Sequence, residues 1–208
     1  MSNPELPWRI TTHAWAHTVD AGHLAEVRQD PAKFAPSGIL HLILEVIAYA
    51  ADEAESTGVL GLCVVTRHDD GSVSVADNGR GTDTRADDQG RSVRKPVMST
   101  KDLRFFDFPD AQQLPDGHPR RGMSVVAALS EWLIHTNHRH DAAWTQRYEQ
   151  GIPVTDLLAI PNQAISGTTV HFRLPATFSP SGLPSASELI QLTAAWPQLT
   201  IHIAPTYR

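Results

Sequence analysis

The chain has a single cysteine, Cys63, so no disulfide framework can form within one copy. Its setting in the apolar run LGLCVV marks it as a buried core residue. No stretch approaches the roughly 18 consecutive apolar residues of a membrane span. The leading MSNPELPWRI lacks the basic-then-apolar order of a secretory signal, so a cytoplasmic location with no membrane partner is expected. Positive charge is also in short supply. Lys and Arg number 17 against 23 Asp and Glu, and the net charge is -6. Arg91, Arg94 and Lys95 make only a small basic patch, so direct DNA binding is not expected. His138 and His140 would share one strand face with His135 close by, but no clear third and fourth metal ligands lie near, and a polar sheet face is the expected role. No nucleophile elbow surrounds Ser124 or Ser130. Internal repeats and low-complexity tracts are absent, and 208 residues suit one well-packed domain.

Helical spacing is clearest from Gly38 to Ser56, where Ile39, Leu42, Ile43, Val46, Ile47, Ala50 and Ala54 recur on one side. Ser37 is the expected cap of this helix, and Gly58 follows its end. A short helix is expected over His23–Arg28, closed by Pro31. Asp70-Gly71 lies between two β-rich runs and predicts a hairpin. Residues 79–121 are rich in Gly, Asp, Pro and Arg and lack periodicity, which marks a functional loop. MSVVAALSEWL reads as a helix leading into the strand LIHTNHRH, with His140-Asp141 turning it into AAWTQRYEQG. GTTVHFRL and QLTIHIAP are further strands, and SASELIQLTAAW is a helix capped by Ser185. Helices and antiparallel strands mix without a βαβ rhythm, so the class is α+β.

Three blocks in order carry a family resemblance: GILHLILEVIAYAADEA, DGSVSVADNGRG, and RRGMSVVAALS followed by SGTTVHF. They resemble the ATP-binding domain of the gyrase B proteins, members of the GHKL ATPase superfamily that act in DNA topology. The likeness implies a two-layer sandwich with a mixed, mostly antiparallel sheet and helices on one face. It runs from AEVRQDPAKF through QLTIHIAP. Residues 1–22 are thereby assigned to an N-terminal arm and 23–208 to the family's first subdomain, with the transducer subdomain expected to be absent. The resemblance implies that Asp77 reads the adenine amine, supported by Thr168. A carboxylate at a strand end followed by glycines suits that task, because glycine permits close backbone approach. Gly79, Arg80, Gly81, Gly122 and Ser124 fall at nucleotide-binding positions, and Glu45 at the place of the general base. Arg80 and Arg139 match positions at the pocket mouth where coumarin-type inhibitors contact the family.

The chain departs from that family at three places. The magnesium-binding Asn position is Tyr49, so Mg2+ is expected to be poorly held, with no metal site assigned. The glycine-rich lid is replaced by PDGHPRRGMS, in which Gly122 alone survives before the helix. Arg120 and Arg121 there are read either as phosphate contacts or as surface charges. DLRFFDFPDAQQ replaces another lid segment, and its Phe residues are candidates to plug the pocket. The expected function is binding of ATP or another adenine nucleotide with slow or no hydrolysis. Two alternatives stay open: a weak but competent ATPase component of a gyrase-like topoisomerase, and a non-binding interaction module. A homodimer, or a gyrase-like partner chain met through Trp8 and Trp15 of the arm, belongs to these readings.

Overall fold

The computed structural model describes residues 19–82, 84–86, 92–94, 97–106, 112–140, 142–163, 165–176, 178 and 183–207, with backbone alone for 84–86, 92–94 and 205–207. Most of the expected arm, including Trp8 and Trp15, lies outside these residues, as do Arg91, Lys95, Phe108 and Asp141. The helices are α1 (Ala21–Gln29), α2 (Pro31–Phe34), α3 (Ile39–Thr57), α4 (Leu103–Phe106), α5 (Met123–Leu129) and α6 (Ala186–Thr193). The strands are β1 (Gly61–His68), β2 (Val73–Asp77), β3 (Thr84–Ala86), β4 (Ser92–Arg94), β5 (Trp132–His138), β6 (Ala143–Glu149), β7 (Ile152–Pro153), β8 (Leu158–Ala159), β9 (Gly167–Arg173) and β10 (Leu199–Tyr207).

Eight strands form one sheet in the order β10-β1-β2-β9-β5-β6-β7, with β8 paired to β6. The β1–β10 pairing is parallel and the remaining pairings are antiparallel. The expected two-layer α+β sandwich is therefore what the chain adopts. The β1–β2 hairpin turns at Gly71, whose φ is +79°, and the Asp70 carboxylate accepts from the Ser72 N–H at 2.9 Å.

The central helix α3 follows from its sequence. Apolar residues occupy more than one stripe, so it is buried on two sides. Leu42, Ile43 and Ile47 join Val65, Val75, Leu133, Val170 and Phe172 of the sheet in one core. Leu44 and Ala48 face away from that core, against Leu114. Each fully buried Leu or Ile contributes about 1.5–3 kcal/mol relative to exposure. Residues around Leu114 thus roof the helix, and polar side chains between its two apolar stripes are sealed inside.

Two local expectations need correcting. Ser37 does not cap α3: the cap is Gly38, with no side-chain hydrogen bond, and the Ser37 hydroxyl instead bonds Asp116. The helix over MSVVAALSEWL ends early, at Leu129. The Ser130 hydroxyl donates back to the Val126 carbonyl at 2.7 Å, and the Glu131 N–H is taken by the Arg173 carbonyl of β9. Trp132 onward is therefore strand. Ser185 does cap α6, accepting from the Glu188 N–H at 3.2 Å.

Candidate functional site

β2 ends at Asp77, and β9 starts beside it. Gly167 has φ +139°, and a Cβ there would lie 2.0 Å from the Asp77 carbonyl oxygen, so a glycine lets the strands approach this closely. The next residue, Thr168, donates its hydroxyl to Asp77 Oδ2 across a sequence separation of 91. Asp77 Oδ1 accepts from the Gly79 N–H at 2.7 Å. Burial pushes the Asp77 carboxyl above its ordinary pKa, outweighing the bonds from Thr168 and Gly79 that favour its charged form. A carboxylate has about four acceptor sites, so some capacity remains beyond the Gly79 N–H and the Thr168 hydroxyl and N–H, and Asp77 lines a cavity.

That cavity has a volume of about 240 Å³. Val46, Met98, Met123 and Val170 give it apolar walls, while Asp77, Glu53, Tyr49, Thr82, His135 and Thr168 supply polar groups. Asn137, fully buried and paired across the ladder with Thr168, holds the Gly81–Thr82 rim in place. Its Oδ1 accepts from the Thr82 N–H at 2.6 Å and its Nδ2 donates to the Thr82 carbonyl at 3.3 Å. Gly81, φ +80°, passes so near β5 that a Cβ would meet the His138 carbonyl oxygen at 2.5 Å. Arg80 lies outside this rim. Its guanidinium forks onto Glu53 at 2.6 and 3.0 Å, and this hydrogen bonding holds the Glu53 carboxyl below its usual range. Arg139 donates to the Gly81 carbonyl at 3.4 Å.

Past Tyr49, which lines the cavity, α3 presents Glu45, Tyr49 and Asp52 on one face, at the i, i+4 and i+7 spacing of helical neighbours, with Glu45 and Asp52 outside the cavity lining. Glu45 is fully buried and accepts from the Arg121 N–H and from the Gly122 N–H, the latter at 2.9 Å. The Arg120 guanidinium is fully buried too. Its Nη1 donates to Asp52 at 3.0 Å and to Gln112 at 2.8 Å, and its Nε lies 3.9 Å from Glu45. It is sandwiched by Tyr49 and Phe105, at 4.6 and 4.5 Å from their ring centres. The Tyr49 hydroxyl donates to Asp102 at 3.0 Å, and Arg104 closes the other side of that carboxylate at 2.8–3.0 Å. Burial, and then the Asp102 charge, push the Tyr49 phenol far up, so it stays a neutral donor. Behind Glu45, His41 Nδ1 lies 2.8 Å from Asp116 and its Nε2 3.5 Å from Glu45. Burial disfavours a charged ring there, but the Asp116 and Glu45 carboxylates overcome it and push the His41 pKa up to about 9.

A magnesium ion, which the family resemblance implies, requires a near-octahedral set of oxygen ligands. The residues present do not fit it. Glu45 is matched to two backbone N–H groups, Asp52 to Arg120, and Asp102 to Tyr49 and Arg104. Among the described residues no group of three or more His, Cys, Asp or Glu is placed to hold a metal.

The structure brings Asp77, Gly81 and Thr168 together on the cavity, with Gly79 one hydrogen bond behind and Arg80 outside on Glu53. Glu45 and Gly122 meet each other rather than open space. The Ser124 hydroxyl turns to His23 Nε2 at 2.9 Å, a ring whose pKa burial lowers. Arg120 is an interior ion-pair residue, which overturns its reading as a surface charge. Phe105 stacks on Arg120 and Phe106 packs edge-on to His23, so neither plugs the cavity. Sequence reasoning misses His41, Asp102, Gln112 and Asn137, and His135, read as part of a polar sheet face, is buried and lines the cavity. One signal is available: His41 stands four residues before Glu45 on the same helical face. Among the described residues no helix is long and apolar enough to cross a membrane.

No protein-family model matches the chain. The gyrase B protein of Thermotoga maritima is 37% identical over 155 residues, which is 72% of this chain and 24% of that protein. The gyrase B protein of Synechocystis is 37% identical over 163 residues, 74% of this chain and 15% of that protein. The topoisomerase 4 B protein of Bacillus subtilis is 33% identical over 162 residues, 75% of this chain and 25% of that protein. The chain thus spans between 15% and 25% of the length of these curated relatives. Among solved structures, the topoisomerase IV ATP-binding domain of Francisella tularensis, in complex with a small-molecule inhibitor, matches with a TM-score of 0.66. That match covers 88% of this chain and 90% of the other at 23% identity. Over about three quarters of its length this chain is thus homologous to DNA gyrase B and topoisomerase IV B proteins, and it shares the fold of a topoisomerase IV ATP-binding domain.

Proposed function

We propose that the chain binds an adenine nucleotide in the cavity beside Asp77 and hydrolyses it slowly or not at all. The observation that carries the binding half is the buried Asp77 carboxylate, oriented by Thr168 and Gly79 and left with acceptor capacity toward an apolar slot. That arrangement suits a flat heterocycle with an exocyclic amine. Relatives with this fold include a named ATP-binding domain, and that domain also takes a small-molecule inhibitor. Arg80, just outside the rim on Glu53, and Arg139, on the Gly81 carbonyl, are the residues we assign to coumarin-type inhibitor contact.

The hydrolysis half rests on Glu45. A general base must reach the water it deprotonates, whereas this carboxylate is buried and held by the Arg121 and Gly122 N–H groups. Calorimetric titration of ADP into the wild type and Asp77→Ala tests the binding half. Heat of binding that disappears in the variant supports it, and equal binding by both defeats it. Glu45 nonetheless stands at the N-terminus of α5, which favours a second reading, a weak ATPase acting with a second copy or a gyrase-like chain. ATP turnover that vanishes in Glu45→Ala would establish that reading.

A further inference from the structure

We infer that Arg120 is a built-in counter-ion at the Glu45 end of the cavity, so that the site takes the adenosine part of its ligand and is indifferent to phosphate number and divalent metal; this rests on the adenine reading of Asp77. Two carboxylates on one face of α3, Glu45 and Asp52, converge on the same buried guanidinium. A divalent cation would ordinarily be recruited by such a pair through their free oxygens. Here the positive charge is supplied by the chain, and its geometry is fixed by the Tyr49 and Phe105 rings and by Gln112.

A phosphate chain entering this end would find the nearest donors among the described residues occupied. The N–H groups of Arg121 and Gly122 already donate to Glu45, and Arg104 forks onto Asp102. Arg120 Nε and Nη2 have no hydrogen-bond partner among the described residues, but Arg120 is fully buried and does not line the cavity. It neutralises from behind Tyr49 instead of greeting a ligand. The cavity, about 240 Å³, is also smaller than the roughly 300–1,000 Å³ of sites that enclose drug-sized ligands. Base and sugar therefore bind, and the phosphates extend into solvent.

The test is a calorimetric series of adenosine, ADP and ATP on the full chain, each with and without Mg2+. Affinities are expected to agree within about threefold across ligands and metal conditions, a spread well below one decade. A gain of roughly tenfold or more on adding phosphates or Mg2+ overturns the inference while leaving the adenine reading intact. Absence of binding by all three ligands overturns both. Thermal shift with Mg2+ alone then compares the wild type with Arg120→Ala and Arg120→Lys. Removing the guanidinium takes the positive charge away from Asp52 and Glu45 and frees Asp52 outright, while Glu45 keeps its two backbone N–H donors. Mg2+ is therefore expected to stabilise Arg120→Ala, through Asp52 first, and to leave the wild type and Arg120→Lys unmoved. A wild type stabilised by Mg2+ contradicts the inference even where Arg120→Ala fails to fold.

Discussion

At the Asp77 end of the cavity, a buried carboxylate receives donors from Gly79 and Thr168 and keeps acceptor capacity for a ligand. At the Glu45 end, the carboxylates of Glu45, Asp52 and Asp102 are each matched to donors of this chain itself. On the proposed reading the Asp77 end serves recognition and is built from two strand ends, whose register is set by the sheet. The Glu45 end is built on the segment before α5, where the Arg121 and Gly122 N–H groups donate to Glu45 and the buried Arg120 guanidinium pairs with Asp52. With each of these carboxylates matched by the chain's own donors, a ligand gains little by displacing them, because a desolvated charge left unpaired is costly.

The largest expected effect lies at the self-satisfied end. Arg120→Ala leaves Glu45 and Asp52 without their buried counter-ion and should destabilise the fold by about 3–5 kcal/mol. In a domain of this size that lowers Tm by roughly 6–20 °C, read by thermal melts. A loss within about 1 kcal/mol would mean that the end is solvated rather than sealed. Next comes His41. Its folded pKa of about 9 exceeds the ordinary 6.5, so its contribution is fully present below pH 6.5 and is lost as pH rises through about 9. The size is on the order of 3 kcal/mol. Melts between pH 6 and 10 should fall steeply for the wild type and much less for His41→Gln.

At the recognition end, Asp77→Ala removes a charged acceptor and should weaken adenine-nucleotide binding by about 1.5–3 kcal/mol, roughly 10- to 150-fold. Because burial raises the Asp77 carboxyl, wild-type binding should also fail on acidification at a higher pH than an exposed aspartate would give. A pH series of titrations checks this. The smallest effect belongs to Arg80→Ala, which breaks an exposed fork to Glu53 and should change stability by no more than about 1 kcal/mol. A larger loss, seen in melts, would make the Arg80–Glu53 fork part of the structural core of the Asp77 end.

The recognition end was legible in the sequence because each of its parts leaves a local mark. The Asp70-Gly71 turn fixes β2, the motif DNGRG follows the strand end, and GTT opens β9 at the glycine that close approach requires. Helix α3 was readable from its apolar spacing and from Gly58, which adopts the left-handed conformation after its last turn. The self-satisfied end was not legible, because its contacts join segments distant in sequence. Arg120 reaches Asp52 across a separation of 68, and Tyr49 reaches Asp102 across 53. No periodicity signals such pairings, and a loop arginine read alone is as compatible with solvent as with the interior. Ser37 and the end of α5 depart from expectation for a related reason. Asp116 and β9 compete for the same hydroxyl and N–H groups that local rules assign to caps and helix turns.

The most direct measurement is the electron density of crystals grown with ATP and Mg2+. The expected map shows the adenine amine within hydrogen-bond distance of Asp77. It keeps Arg120 between Tyr49 and Phe105, with no metal on Glu45. Density for a magnesium ion bridging Glu45 and the phosphates, with Arg120 displaced, would contradict the account at its centre.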